Sequence, residues 1–274
     1  MVEGATYREL VPAPRLAEHV WSVFVHRVPS DAAPYVHRTV PNGSAQLVWR
    51  VGEPPRLAGP RTRPSAEALA PGTVVVGARL RPAAALALLG TAPGELVDAE
   101  VDAGVLWGRA GERLGERLAL AGSPAAALAV LQDELAARLS RPADPLVAEA
   151  VRRLAPAGGA LDVGALTRAL AISERQLRRR FHAAAGMGPK TLQRLLRFQR
   201  VLAAVHGPLA RGEVPADDGL ARLAADAGYA DQAHLTRESV RLAGLPIGAY
   251  LRLMREQCGP HHDHRASFAP LLAR

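Results

Sequence analysis

The residues in this sequence best suited to recognition chemistry are arginines that recur at helical spacing in its C-terminal half. Arg175, Arg178 and Arg179 lie in the segment 173–185, where apolar residues at positions 177, 181 and 184 follow an i, i+4, i+7 pattern. This spacing predicts an amphipathic helix whose arginines point away from its core. Because the guanidinium group can bond both O6 and N7 of guanine, the segment predicts a helix that contacts DNA bases.

The same pattern recurs 58 residues later in the chain. The matching pairs are Leu177 and Leu235, Arg179 and Arg237, Ala185 and Ala243, and Gly186 and Gly244. Each copy begins at a residue whose side chain can accept from backbone N–H groups of the first helical turn, Ser173 or Asp231. The repeat therefore predicts two helices with the same construction.

Each of these helices follows a shorter helix and a tight turn, at residues 166–172 and 220–229. That order predicts two helix-turn-helix units, in which the second helix enters the major groove of DNA. In the second unit the positions predicted to face DNA are Gln232, His234, Thr236 and Arg237. Gln suits adenine, Thr can meet the thymine methyl group, and Arg suits guanine or phosphate.

A predicted helix over residues 189–206 connects the two units. It carries Arg194, Arg197 and Arg200 at i, i+3, i+6. A helix of 18 residues spans about 27 Å, so the two recognition helices can reach successive major grooves about 34 Å apart on one face of DNA. We expect Ser173, Arg194 and Arg200 to contact the DNA backbone.

The distribution of charge supports a polyanionic partner for the second half. Residues 1–144 hold 15 Lys+Arg and 15 Asp+Glu, whereas residues 145–274 hold 19 and 11, so the net charge of +8 lies in the second half. A row of arginines on a helix is often only a solvated face. Two copies in register favour binding to double-stranded DNA over that alternative.

The sequence predicts an α+β chain of two domains. Residues 1–142 are predicted to form a β-rich domain with trailing helices, with strands at 20–26, 36–40, 45–51 and 73–78, a long loop over 52–72, and helices at 82–89, 103–120 and 124–139. Residues 143–258 are predicted to form an all-α domain of seven helices, at 147–154, 163–170, 173–185, 189–206, 218–227, 231–243 and 246–256. Residues 259–274 are predicted to be a flexible tail.

Two segments, 166–205 and 220–251, resemble the DNA-binding domain of the AraC/XylS family of bacterial regulators. The resemblance includes Arg-x-Phe before the first Gly and Ala-x-x-x-Gly-Tyr in the second turn. It implies a transcription regulator with base or phosphate contacts at seven positions: Arg175, Arg178, Arg179, Gln232, Ala233, Thr236 and Arg237. Ala171, Thr167, Ser239 and Val240 depart from the family pattern. Ser239 replaces a buried apolar residue, which predicts a gap or an unpaired hydroxyl in the second unit.

The N-terminal half is similar to a domain that precedes such regulators, on the pieces 7–9, 37–49 and 76–108. That resemblance implies a cupin-like β domain which binds a small-molecule effector or forms a homodimer. The start of the sequence lacks the layout of a signal peptide, and no apolar run approaches the ~20 residues that span a bilayer. We therefore expect a cytoplasmic protein that does not enter a membrane.

Two other classes of function remain as alternatives. One is a metal- or ligand-binding cupin-like protein, or an enzyme, with an accessory DNA-binding domain, and the other is a module whose basic face binds an acidic protein. His19, His26 and His37 lack the tight His-x-His plus carboxylate of a cupin metal site, and the run at His261, His262 and His264 is expected to be a flexible segment. The lone cysteine, Cys258, argues against a DNA-repair methyltransferase. We expect no cofactor, no metal site and no enzymatic activity.

Overall fold

The computed structural model describes residues 5–33, 35–139, 142–157, 161–210, 217–257 and 262–272. Its strands are β1 Thr6–Leu10, β2 Val20–Arg27, β3 Tyr35–Thr39, β4 Gln46–Arg50, β5 Arg56–Ala58, β6 Ser65–Leu69, β7 Val74–Leu80, β8 Glu100–Asp102 and β9 His262–Asp263. They form a seven-stranded sheet in the order β8-β5-β4-β7-β2-β1-β9, with β9 added from the C-terminal segment, and a two-stranded sheet of β3 and β6.

The centre of the larger sheet is buried on both faces. Strand β2, with the sequence VWSVFVHR, is buried at nearly every position and pairs antiparallel with β1 and β7. Strand β4 alternates between buried and half-buried residues, as expected for a strand with one face on the core. The β-rich N-terminal half predicted from the sequence is confirmed.

The prediction of a long loop over residues 52–72 is wrong, because this stretch contains two strands. Strand β5 pairs with β4 and β8, and β6 pairs with β3 along five residues. The prolines that suggested a loop flank these strands and do not interrupt them. Proline is excluded from a central strand but is tolerated at its ends, so it marked the turns and hid the short strands between them.

Four α-helices come after β7 in the N-terminal half: α1 Ala85–Leu89, which precedes β8, and α2 Ala103–Trp107, α3 Arg109–Ala119 and α4 Pro124–Ala137, which follow it. The single helix predicted over 103–120 is broken at Gly108, whose φ of +56° and ψ of −139° are not helical. Helix α4 begins at its predicted proline and is capped by the Ser123 side chain, which accepts from the backbone N–H of Ala126.

The C-terminal half contains the seven helices that the sequence predicts. They are α5 Pro145–Ala157, α6 Val163–Leu170, α7 Glu174–Ala185, α8 Pro189–Ala210, α9 Asp217–Asp226, α10 Gln232–Ala243 and α11 Ile247–Gln257. Helix α8 continues four residues beyond the predicted end, so its 22 residues span about 33 Å.

The prediction of a flexible tail is wrong for residues 262–272. Strand β9 pairs in parallel with β1, and an eighth helix of this half, α12 Arg265–Leu272, packs against α8 and α5. Phe268 and Leu271 are buried in the core of the helical half. The apolar positions of this short segment are too few to establish a helical period, and the helices they pack against, α5 and α8, lie far away in the sequence.

The two halves of the chain are in direct contact. Trp21 and Ala83 belong to the same buried cluster as the C-terminal helices, and the backbone N–H of Asp144 donates to the carbonyl oxygen of Ala83 at 3.0 Å. At the end of α7, Gly186 has a φ of +71°, and a Cβ there would lie 2.7 Å from the carbonyl carbon of Pro93. The first predicted recognition helix is therefore seated on the N-terminal half.

Candidate nucleic-acid interface

The first helix-turn-helix unit consists of α6, a turn at Ala171–Ile172, and α7. A capping box begins α7: the N–H of Gln176 donates to Ser173 Oγ at 3.2 Å, and the N–H of Ser173 donates to Gln176 Oε1 at 3.0 Å. Leu177 and Phe181 are fully buried beneath the helix. The capped start and the buried face together fix which side of α7 is turned to solvent.

Arg175, Arg178 and Arg179 all lie on the exposed side of α7, as the sequence predicts. Arg180, the next arginine in the sequence, does not lie in the same environment as these three. Arg180 makes a bidentate ion pair with Asp144, with N–O distances of 2.7 and 2.9 Å, while the same carboxylate caps the start of α5. The local sequence does not reveal this pair, although Asp144 directly before Pro145 has the signature of a helix cap.

The turn of the first unit places Ala171 in the left-handed region, at φ +51° and ψ +44°. Replacing Ala171 by Gly relieves about 1–2 kcal/mol of backbone strain and costs about 0.4–1 kcal/mol through greater freedom of the unfolded chain. We expect Ala171→Gly to raise the free energy of unfolding by about 0.5–1 kcal/mol in urea titrations. The matched control is Ala204→Gly, on the exposed side of mid-helix α8, which should lower it by about 1 kcal/mol. If both variants raised the free energy of unfolding, or both lowered it, backbone strain at Ala171 would be contradicted.

The second unit consists of α9, a turn at Gly228–Tyr229, and α10. Asp231 caps α10 by accepting from the N–H of His234 at 2.6 Å. Ala233 and Arg237 are exposed on α10, while Gln232 and Thr236 are half-buried. The predicted base-facing positions of both units are thus at the surface, with a more recessed set in the second.

The departure at Ser239 does not leave an unpaired group in the core. Ser239 is fully buried like its repeat counterpart Phe181, and its hydroxyl donates to the carbonyl oxygen of Leu245 at 2.7 Å. Val240, which could have filled the space of a larger residue, is instead 47% exposed. The second unit therefore replaces aromatic packing by a hydrogen bond to the turn that follows α10.

The arginines of the connecting helix α8 contact the protein itself. Arg194 lies 3.5 Å from the Glu238 carboxylate on α10, and Arg197 lies over the ring of Tyr229 at 5.5 Å. The Arg200 guanidinium donates to the carbonyl oxygen of Pro156. The structure thus places the predicted phosphate contacts Arg194 and Arg200 in half-buried intramolecular positions, and Ser173 in the capping box. These three contacts to DNA stay predictions.

Histidines that are far apart in the sequence come together at the sheets of the N-terminal half. The ring of His26 lies 5.0 Å from that of His37 and 6.1 Å from that of His262, whereas His19 lines a different cleft. Burial lowers the pKa of His26 to about 3 and those of His37 and His262 to about 4, so these rings are neutral near pH 7. Over the described residues, no group of three or more His, Cys, Asp or Glu side chains is arranged to hold a metal ion.

Comparison with known proteins matches both halves of the chain. Residues 166–253 match a family described as a helix-turn-helix domain, and residues 8–102 match a family described as a domain of unknown function (DUF6597). No curated protein matches the chain significantly. Within the described residues, none of the helices is long and apolar enough to cross a membrane.

Two solved structures of ToxT from Vibrio cholerae are similar to this chain. An apo ToxT variant from strain SCE256 is 12% identical, with a TM-score of 0.44 over 84% of this chain and 96% of that chain. ToxT from strain O395 is 10% identical, with a TM-score of 0.43 over 81% and 97%. The family match and the two capped second helices show that residues 166–253 form a helix-turn-helix domain, a kind of domain whose second helix enters the major groove of DNA.

Proposed function

We propose that the chain reads DNA with α7 and α10 in successive major grooves, and that its N-terminal half senses a small-molecule effector. The observation that carries the DNA contact is the exposed trio Arg175, Arg178 and Arg179 on a helix whose other side is packed and capped. Arg178 and its neighbours supply affinity and a preference for guanine. The function is binding without a chemical step, at chromosomal DNA in the cytoplasm.

In this proposal the second unit makes fewer contacts to DNA bases than the first. Arg237 and Ala233 are exposed, so they reach a groove edge without rearrangement, while Gln232 and Thr236 are half-buried beside them. Arg194 on α8 forms an ion pair with Glu238 on α10, so this carboxylate, which DNA phosphates would repel, has a positive partner. We therefore expect the first unit to dominate sequence preference.

Coupling between the halves follows from the seating of α7. Gly186 packs against the Pro93–Gly94 backbone, and Asp144, the partner of Arg180, donates its backbone N–H to the carbonyl oxygen of Ala83. A shift of the N-terminal half must move α7 or break these contacts, because each involves backbone atoms, which cannot adapt by changing rotamer. An effector that alters the N-terminal half would change the presentation of α7 to DNA. A homodimer through that half would place two such units on adjacent sites.

The test is selection of binding sites from random double-stranded DNA, followed by Arg178→Ala. We expect a preferred site to emerge, and the variant to lose about 1–3 kcal/mol on that site while its affinity for random DNA changes much less. The matched control is Arg113→Ala, which removes one exposed arginine from α3 in the N-terminal half.

Two outcomes would contradict the proposal. Equal losses on the selected and random DNA would show a phosphate contact only, which lowers the salt dependence of binding by about one unit. If Arg113→Ala matched Arg178→Ala on the selected site, the effect would be one of net charge and not of base recognition.

A further inference from the structure

The C-terminal segment 262–272, made of β9 and α12, lies outside both matched families and packs against both halves of the chain. We call this segment the strap. We propose that the strap positions the second helix-turn-helix unit by bracing the end of α8 against the sheet of the N-terminal half, and that Phe268 is its main positioning residue. The inference rests on the proposed function, because it concerns how both units reach one DNA site.

Hydrogen bonds fix one side of the strap to the sheet. Strand β9 pairs in parallel with β1, where His262 lies opposite Tyr7. The His262 ring bonds the carbonyl oxygen of Ala5 at 2.8 Å, and the N–H of Ser267 donates to Glu9 Oε2 at 2.8 Å. Because β1 would otherwise be an edge strand of the larger sheet, the strap uses backbone groups that an edge leaves open for pairing.

The other side of the strap packs on α8 through apolar side chains. Phe268 and Leu271 are both buried on α12, and the Phe268 ring lies 5.5 Å from the ring of His206 on α8. Leu271 and Leu196 of α8 line one small cavity, and Phe268 borders a surface groove together with Pro208. Helix α12 therefore lies along the second half of α8, up to the last turn of that helix.

The last turns of α8 contain the two residues least suited to a helix interior. Gly207 and Pro208 lie before the end of the helix at Ala210. Proline has no N–H to donate and its ring crowds the carbonyl group four residues earlier, while glycine loses the most conformational freedom in a helix. Such a helix end depends on tertiary contacts to stay helical. The strap supplies contacts there, at His206 and Pro208.

The second unit depends on α8 for its attachment. Helices α9, α10 and α11 all pack against α8. The first unit, in contrast, is seated directly on the N-terminal half at Gly186 of α7. The orientation of α10 relative to α7 therefore depends on how firmly α8 is held. Two linked units bind one DNA site more tightly when their relative orientation is already fixed, because less conformational freedom is lost on binding.

The test compares Phe268→Ala with Leu131→Ala in the full-length protein. Both variants replace a large buried side chain by Ala and should lower stability, but Leu131 lies on α4 in a separate buried cluster of the N-terminal half. Two DNA duplexes serve as probes. One is a site selected from random sequence, and the other is the same site shortened so that it lacks the base pairs read by α10. Those base pairs are the ones whose substitution no longer weakens binding of Arg237→Ala.

We expect Phe268→Ala to bind the full site about tenfold more weakly and the shortened site with a change of less than about twofold, since preorganisation matters only when both units bind. Phe268→Leu should bind the full site to within about twofold of the native protein, because it keeps an apolar side chain on α8. Leu131→Ala should leave the ratio of the two affinities unchanged. If Phe268→Ala does not fold, Leu271→Ala takes its place, with the same expected result.

Hydrogen exchange of the free protein tests the brace without DNA. In Phe268→Ala the amides of residues 203–210 should exchange about tenfold faster, while those of α7 keep their protection. Unchanged exchange at 203–210, an equal loss of affinity on both duplexes, or tighter binding of the full site by Phe268→Ala would overturn the proposal. If no DNA site is selected, the proposed function fails, whereas hydrogen exchange still decides whether the strap braces α8, so the two failures are distinguishable.

Discussion

Glu9→Gln is expected to destabilise the protein by about 3–5 kcal/mol, the usual cost of removing one partner from a buried ion pair. Glu9 is 5% exposed and accepts from the Tyr7 hydroxyl at 2.9 Å, from the Ser267 N–H, and from the Arg79 guanidinium. Burial by itself would raise the pKa of the Glu9 carboxyl, but Arg79, His264 and Ser267 hold it well below its usual range. The amide would leave Arg79 buried without a counter-charge.

The matched control for this variant is Glu67→Gln. Glu67 also pairs with an arginine, Arg50, but its side chain is 56% exposed. An exposed pair contributes about 0–1 kcal/mol, so the control should change the urea midpoint little. Hydrogen exchange should also become faster in α12 of Glu9→Gln, because Ser267 loses its ionised acceptor. Similar urea midpoints for the two variants would contradict a central role of Glu9.

Acidification from pH 7.5 to pH 5 is expected to destabilise the protein by several kcal/mol. Burial lowers the pKa of His26 to about 3, and those of His37, His206 and His262 to about 4. The unfolded chain, with histidine pKa values near 6.5, therefore binds more protons than the folded chain between these limits. Stability is full above pH 6.5 and is lost as the pH falls towards 4. At pH 5 each group contributes a loss of about 2 kcal/mol.

The contribution of each histidine to the pH dependence of stability can be tested by replacing it alone and measuring urea denaturation at several pH values. His206→Asn should reduce the loss between pH 7.5 and pH 5 by about 2 kcal/mol, because one depressed group is removed. His182→Asn, which removes a histidine from an exposed position of α7, is the matched control. If both variants showed the same loss between pH 7.5 and pH 5, the His206 ring would not be held in its neutral form by burial.

These two predictions concern the same part of the molecule. Glu9 and His262 lie on neighbouring strands, and the His206 ring on α8 lies 5.1 Å from the ring of His264. Loss of either the carboxylate or the neutral rings should therefore loosen the C-terminal segment from both halves. The contact that holds the segment is polar at the sheet and apolar at the helices, where Phe268 and Leu271 are buried.

The DNA-binding half could be predicted from the sequence because its signals are local. Caps at Ser173 and Asp231, the glycines at 186 and 244, and apolar residues at helical spacing lie within a few turns of the helices they define. Helical periodicity then fixes the exposed face of α7, so the positions of Arg175, Arg178 and Arg179 followed directly. The contacts of the α8 arginines could not be predicted in this way, because their partners Glu238, Tyr229 and Pro156 lie some 30 to 45 positions away.

Only the tertiary structure decided how the ends of the chain meet. Glu9 and Ser267 are separated by 258 positions, and His26 and His262 belong to segments with no shared periodicity. The tertiary structure also decided the environment of Ser239, whose hydroxyl donates to a carbonyl oxygen in the turn that follows α10. Local propensity sets which helices form and which face each turns outward. Burial and pairing between distant segments decide which charges are left for DNA, which are paired inside, and that the tail is part of the fold.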